Sequence, residues 1–499
     1  MKRETMTRVK NKLTLLALTI ISTLFGLSWA ISSPPGSASD EIYHLSSIWC
    51  AWGENEICKF DGEPQEIGRR NITLTPEFSK AGCFRSDIDK KSKSAKCYSE
   101  SSNSKDRFAW ETNSGNYPGL TYTVLRTFAS NNLDLSVIIM RLFNYSLLTF
   151  SIILAFYTLR PMTFYSSMLA IFITLIPVSV FFLTSINPSS WTIIGIGLYW
   201  AYLWDLFRSE NHKSNKLFYA GLILMSILSI GSRSDASIYI IILNSIAFVY
   251  VIMNKRLAKE FKNLIITSLI SIWAAIQFLY NQQYDPASKK TNVEGGLSLL
   301  WQNLFDLPMY YVGIFGGKGP EEWPFGLGWF DTPIPSLVSI LGLLNLVLVS
   351  SFLVKLKGKK QKLFITLLLI FMISIPLILL QLRGTGAIFF LQPRYLLPLL
   401  IVFLGILVTN FASSKYLHAT ITIIIFNLSI SNSISLYTNL KRYTVGLNSK
   451  ANIFGSPEWW WNIPLTPSLT WVIGSTTLPI LMVILFFGLF NKNEQKIIR

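Results

Sequence analysis

The chain has 499 residues, of which 51% are hydrophobic and only 14% charged, with a formal net charge of +17. Soluble domains carry about 25% charged residues, so this composition excludes a string of ordinary soluble domains and points to lipid. The basic residues sit in short clusters between apolar runs rather than in one continuous field, which excludes a nucleic-acid surface as the reason for the charge.

A segment needs about 20 mostly apolar residues to cross a bilayer, because only a helix closes its own backbone hydrogen bonds there. On that measure the sequence predicts an all-α membrane protein with about twelve transmembrane helices. They fall at 13–31, 133–158, 164–183, 191–207, 217–230, 238–253, 264–280, 334–354, 363–382, 395–411, 417–436 and 469–490. The first run follows a basic segment and ends near Ser28-Trp29-Ala30, a small-x-small pattern suited to cleavage. Its apolar stretch reaches the upper end of a signal core and continues through Trp29 and Ile31, so an uncleaved helix is expected. The short runs 217–230 and 238–253 flank Arg233 and Asp235 and read as two crossings, with one broken or re-entrant unit as the alternative.

Alternate loops hold Arg160; Arg208, Lys213 and Lys216; Lys255, Arg256, Lys259 and Lys262; Lys355, Lys357, Lys359, Lys360 and Lys362; and Lys415. The short loops of opposite parity hold only Arg233, Arg383 and Arg394. By the positive-inside rule the protein belongs in the plasma (inner) membrane with both termini in the cytoplasm. Extracytoplasmic loops then follow the first, seventh and eleventh helices, at 32–132, 281–333 and 437–468. The expected organisation is a transmembrane domain over 1–436 and a final loop and helix over 437–499. No internal repeat of the transporter kind is present.

All four cysteines, Cys50, Cys58, Cys83 and Cys97, lie in the first of these loops. An even number confined to one polar loop predicts two disulfides in an oxidising compartment, in any of three connectivities. A zinc site is the weaker alternative, since no C-x-x-C pair or neighbouring histidine completes its spacing.

Just past the first run stands Pro34-Pro35-Gly36-Ser37-Ala38-Ser39-Asp40-Glu41-Ile42-Tyr43-His44. With Asp40 as N-cap, a helix starts here and places Asp40 and His44 on one face. A carboxylate beside an imidazole suits general base catalysis. The plainer alternative is that Asp40 only caps an interfacial helix and Glu41 is solvated.

Arg233 (followed by Ser234-Asp235), Arg383, and Arg394 (followed by Tyr395) are isolated at the ends of spans. A guanidinium fork fits phosphate oxygens, so these residues are candidates for holding a lipid phosphate. Snorkelling, or pairing with Asp235 and other carboxylates, is the alternative. Trp323, Trp329, Phe330 and the run Trp459-Trp460-Trp461 beside Glu458 offer faces for a sugar or lipid, or an interfacial belt.

Other motifs fail. Gly313–Gly319 lacks the Ser or Thr that follows lysine in a phosphate loop, and no Gly-x-Ser-x-Gly elbow occurs. His44, His212 and His418 are too dispersed for a multi-histidine metal site. No cofactor is expected, and a divalent cation has no specific signature.

The Pro34-Pro35-Gly36, Asp40-Glu41 and His44 motif, with Arg233-Ser234-Asp235-Ala236 and Gln392-Pro393-Arg394-Tyr395-Leu396-Leu397-Pro398, resembles the family of predicted bacterial membrane proteins called domain of unknown function number 2142. The resemblance runs from about residue 11 to 411. That family is similar in layout to the GT-C membrane glycosyltransferases. The likeness implies that Asp40 acts on the acceptor, with Glu41 as a second candidate or metal-facing group. It also implies a sugar on polyprenyl phosphate as donor and a cell-envelope glycan or lipid as acceptor. A flippase or transporter of lipid-linked saccharide, or a non-catalytic envelope-assembly protein, are the competing expectations.

Overall fold

In hydrocarbon the backbone finds no partner but itself, and the computed structural model is accordingly mostly helical. It describes residues 2–62, 70–85, 94–100, 106–112, 117–208, 216–281, 296–318, 324–356, 359–384, 386, 391–410, 416–455 and 457–488. Trp323 and His212 lie outside these, as does the side chain of Arg383.

Helix α1 (Lys2–Ala30) leads into a segment that carries α2 (Glu41–Trp49), α3 (Lys96–Ser99) and α4 (Leu120–Leu125). The bundle continues with α5 (Leu133–Thr158), α6 (Pro161–Ile173), α7 (Pro177–Leu183), α8 (Ser189–Arg208), α9 (Lys216–Ile230), α10 (Ser234–Met253) and α11 (Leu257–Tyr280). It closes with α12 (Leu297–Gly313), α13 (Ser336–Leu348), α14 (Lys359–Arg383), α15 (Pro393–Leu407), α16 (Leu417–Thr444) and α17 (Pro467–Val483). Local chemistry sets several starts. The Asn132 side chain accepts from Leu135 N at 3.0 Å to open α5, and Thr466 accepts from Leu469 N at 3.2 Å to open α17.

Among the described residues, eight helices are long and apolar enough to cross a membrane, or nine if α6 and α7 form one bent span. Three of the twelve expected crossings, at 191–207, 217–230 and 395–411, fall on helices below this measure. The run at 164–183 is two helices bent by 103°, because Pro177 lacks an N–H and forces the residue before it out of helical geometry. Helices α9 and α15 are apolar but shorter. Helix α8 is long enough, but its tryptophans, tyrosines and Asp205 dilute its hydropathy. It sits inside the bundle against α5, α9, α10 and α15, where a lipid-compatible surface is not required.

Three further departures from the sequence reading matter for the site. The segment 281–333 contains α12, whose Leu297, Trp301 and Phe305 are exposed while Asn303, Leu307 and Tyr310 are buried. Its interspersed polar residues hide it from a hydropathy scan. Helix α16 runs on through Tyr437 to Thr444, so the stretch after 436 begins as helix. The fold is also not purely α. Strands β1 (Cys58–Phe60), β2 (Asn71–Leu74) and β3 (Phe108–Glu111) form an antiparallel sheet in the cysteine-bearing segment. Strands β4 (Gly317–Lys318) and β5 (Pro324–Phe325) pair near α12.

The cysteines form two disulfides, Cys50–Cys58 and Cys83–Cys97, which selects one of the three connectivities. Ile72 and Leu74 point from β2 into a core with Trp49 and Phe78.

Candidate functional site

The site begins with the turn that follows α1. Gly36 has φ 82° and its missing Cβ would lie 2.6 Å from the backbone nitrogen of Gly82, so only glycine fits this crossing. Gly82 N donates to Pro35 O at 3.3 Å. From α5, Arg141 ties the same turn into a knot. It donates to the carbonyls of Ala30 (2.8 Å), Ser33 (2.6 Å) and Pro34 (3.0 Å), and to Ser37 Oγ at 3.2 Å. It also forks onto Glu41 at 3.1 and 2.8 Å.

Glu41 is wholly buried and accepts from Ala38 N and Ile186 N besides. It is therefore neither solvated nor open to a metal. Its oxygens are consumed in holding the turn.

Asp40 is the N-cap residue of α2, as expected, but its side chain makes no cap bond. Its backbone is left-handed (φ 63°), a conformation aspartate tolerates. The carboxylate turns instead to Arg394, whose Nη2 lies 3.1 Å from Oδ2. Asp40 is 31% exposed at the side chain and Arg394 only 2%. Arg394 Nε and Nη1 are buried with no acceptor, an uncommon condition for a charged donor.

Arg233 precedes α10 and forks onto Asp235 at 2.9 and 3.0 Å, the pairing alternative that the sequence left open. Its guanidinium also sits 4.1 Å from the ring of Tyr395, which lies 5.2 Å from that of Arg394. Both guanidiniums thus lie close to the same tyrosine ring. Arg383 is the last residue of α14, and with its side chain undescribed it adds nothing to this geometry.

His44, one turn beyond Asp40 on α2, is buried, and its Nδ1 shares a 2.9 Å hydrogen bond with the hydroxyl of Tyr122. Its Nε2 is buried without a partner. Burial pushes its pKa down to about 3, opposed by the charge of Asp40 and reinforced by Arg394 and Arg233. The imidazole is therefore neutral at neutral pH. Tyr117 packs edge-on against it at 5.3 Å, and burial raises the phenols of Tyr117 and Tyr122 above their usual range. Neither tyrosine stands out in the sequence.

Arg394 also lines a small pocket, together with Val178, Phe182, Phe330 and Gln392. Phe330 holds a left-handed backbone (φ 60°), a costly state for an aromatic residue. The loop around it is anchored twice. Trp329 Nε1 donates to Gly36 O at 2.8 Å, and Asp331 Oδ2 accepts from Arg442 Nη2 at 2.9 Å. Arg442, Asp331 and Arg141 escape sequence reasoning. An arginine buried well inside an apolar run, as Arg141 is in α5, was the available signal.

The run Trp459-Trp460-Trp461 goes elsewhere. Trp460 packs on Tyr443 at 6.2 Å, Trp461 Nε1 donates to Ile31 O at 2.7 Å, and Glu458 N donates to Thr444 O at 3.1 Å. These residues buttress the ends of α1 and α16. Among the described residues no group of three His, Cys, Asp or Glu side chains is placed to hold a metal ion.

The family model described as predicted membrane protein (DUF2142) matches residues 23–404. The chain belongs to this family. The DUF2142 match takes in the Pro34–His44 motif, Arg141, Arg233 and Arg394, and stops before the tryptophan run. No curated protein and no solved structure matches the chain.

Proposed function

We propose that the protein is a membrane glycosyltransferase that moves a sugar from a polyprenyl-phosphate donor to a cell-envelope acceptor on the outer face of the membrane. The observation that carries this reading is the pair of Asp40 and Arg394. A part-exposed carboxylate lies 3.1 Å from a buried guanidinium that still has two donors to give.

In the proposed step the acceptor hydroxyl loses its proton to Asp40, and its oxygen bonds to the anomeric carbon. The bond from that carbon to the phosphate oxygen breaks, and polyprenyl phosphate leaves with the electron pair. Arg394, with Arg233 beyond the Tyr395 ring, stabilises the charge that grows on the phosphate. Neutral His44 beside Asp40 adds no competing positive charge. Inversion at carbon follows from the direct displacement. The resemblance to GT-C enzymes and the two disulfides, which suit an oxidising compartment, favour the same reading.

Purified protein given lipid-phosphate sugars should release polyprenyl phosphate, and Asp40→Asn should slow that release by roughly 10²- to 10⁴-fold. Unchanged product formation by Asp40→Asn removes the base. No release with any donor, together with passage of lipid-linked saccharide across proteoliposomes, assigns the protein to transport instead.

A further inference from the structure

Helix α12 lies along α14, and two side-chain contacts fix where. Gln381, at one end of the crossing Gln361–Gln381, donates to the carbonyl of Gly296 at 3.2 Å, just before α12 begins. Tyr311, in the last turn of α12, donates to the carbonyl of Met372 at 2.7 Å. Met372 stands nine positions before Gln381, which is about 13 Å along α14 in a hydrocarbon layer about 30 Å thick. The C-terminal end of α12 therefore reaches nearly to the middle of the membrane.

The bond from Tyr311 answers a need of that depth. Pro376 stands inside α14 and has no N–H, so the carbonyl four residues earlier, that of Met372, loses its partner within the helix. No water replaces the partner in hydrocarbon. The Tyr311 hydroxyl does. Past α12 the chain stays inside the bundle: Phe315 packs on Gly342 of α13, where a Cβ would stand 2.5 Å from its ring, six positions past the first residue of that helix. Because α13 and α14 are consecutive crossings, α12 enters and leaves on one side. Only residues 384–392 separate α14 from α15, too few for another crossing, so this is the side of Arg394.

The two faces of α12 differ in what they meet. Leu299, Asn303, Leu307 and Tyr310 are buried against the bundle, while Leu297, Trp301, Phe305, Met309 and Val312 form an exposed apolar stripe. The exposed polar residues Ser298 and Gln302 lie in the half nearer the surface, and Asp306 is half-buried at the edge of the stripe. On α14 itself, Leu369, Ile370, Ile373 and Ile378 are exposed at neighbouring levels, as on a helix that faces lipid.

We propose that residues 296–316 are a re-entrant element seated in the leaflet on the side of the candidate site, with the apolar stripe of α12 against the acyl chains. A segment that reads in sequence as a loop outside the membrane is thereby half inside it. Gly313, at the deep end of α12, lines the small pocket of Arg394, so lipid contact at Val312 adjoins the wall of that pocket. The placement does not depend on the chemistry of the site.

All four cysteines are in disulfides, so one added cysteine gives one spin label. The test uses full-length protein in vesicles of phosphatidylcholine and phosphatidylglycerol, with Leu297→Cys, Phe305→Cys, Val312→Cys and, as a reference in water, Ala109→Cys on β3, an exposed position. Relaxation by oxygen, which concentrates in lipid, is compared with relaxation by a water-soluble nickel chelate. Labels at 305 and 312 should favour oxygen severalfold more than the label at 109, with 297 between them. Nickel access at 305 and 312 equal to that at 109 places α12 in water, and poor access of both agents places a protein partner on the stripe; either result overturns the proposal. A second measurement needs no label. Tyr311→Phe should lower the thermal unfolding temperature in detergent, and adding Pro376→Ala, which returns an N–H to the Met372 carbonyl, should recover the loss. A Tyr311→Phe chain as stable as wild type overturns the depth assigned to α12.

Discussion

Arg394 Nη2 lies 3.1 Å from Asp40 Oδ2 across 354 residues of sequence. This pair joins the segment after the first helix to the start of α15 and leaves one carboxylate within reach of solvent beside a guanidinium with spare donors.

Removal of the base should separate from loss of the phosphate contact. Asp40→Asn keeps the shape and should lower the transfer rate by roughly 10²- to 10⁴-fold with little effect on donor binding. Arg394→Gln should also weaken binding of the lipid phosphate. Titration of a fluorescent polyprenyl-phosphate analogue against each variant, alongside turnover, distinguishes the two. Equal donor affinity in both variants would contradict the assignment of Arg394.

The Arg141–Glu41 pair is buried on both sides, with side-chain exposures of 1% and 0%. Cutting it by Arg141→Gln or Glu41→Gln should cost about 3 to 5 kcal/mol, since the remaining partner is stranded. The double change Arg141→Met with Glu41→Leu should be less damaging than either single change with respect to the charge. Thermal unfolding in detergent measures this, and additive losses in the double variant would show that the two residues act separately.

His44 makes stability depend on pH in a stated direction. An unfolded histidine titrates near 6.5, whereas His44 in the fold titrates at about 3. Between these values the unfolded chain holds more protons, so stability is complete above pH 6.5 and falls as pH drops toward 3. Denaturation followed from pH 7 to 4 should therefore be shallower in His44→Gln than in wild type. Parallel curves would assign the acid sensitivity to other groups.

Non-reducing digestion should give peptides linked through Cys50 and Cys58 and through Cys83 and Cys97. Loss of the Cys83–Cys97 link, which closes a 14-residue separation, should cost about 3 kcal/mol on chain-entropy grounds. A crosslink between the two pairs would refute the observed connectivity.

Much of the site was legible because its residues break a local rule. Asp40, Arg233 and Arg394 are charges at the ends of apolar runs, and such charges are expensive unless something uses them. What could not be read was the pairing. Glu41 looks like Asp40 in sequence, yet Arg141, 100 residues away, removes it from the chemistry. Tyr117 and Tyr122 belong to polar sequence without periodicity, and only the fold turns them toward His44. The helices were legible through hydropathy, whereas the break before Pro177 and the amphipathic α12 needed packing to appear. The tryptophan run stayed open between readings because indoles suit sugars, membrane surfaces and protein cores alike.

The indole of Trp329 closes on the carbonyl of Gly36 at 2.8 Å, between residues 293 positions apart. A nascent chain therefore displays Asp40 early but cannot frame it until the loop at 324–333 and the start of α15 have emerged. Completion of these surroundings is a late event in biogenesis, so a partly inserted chain would carry the acidic motif without Arg394 or Trp329 beside it.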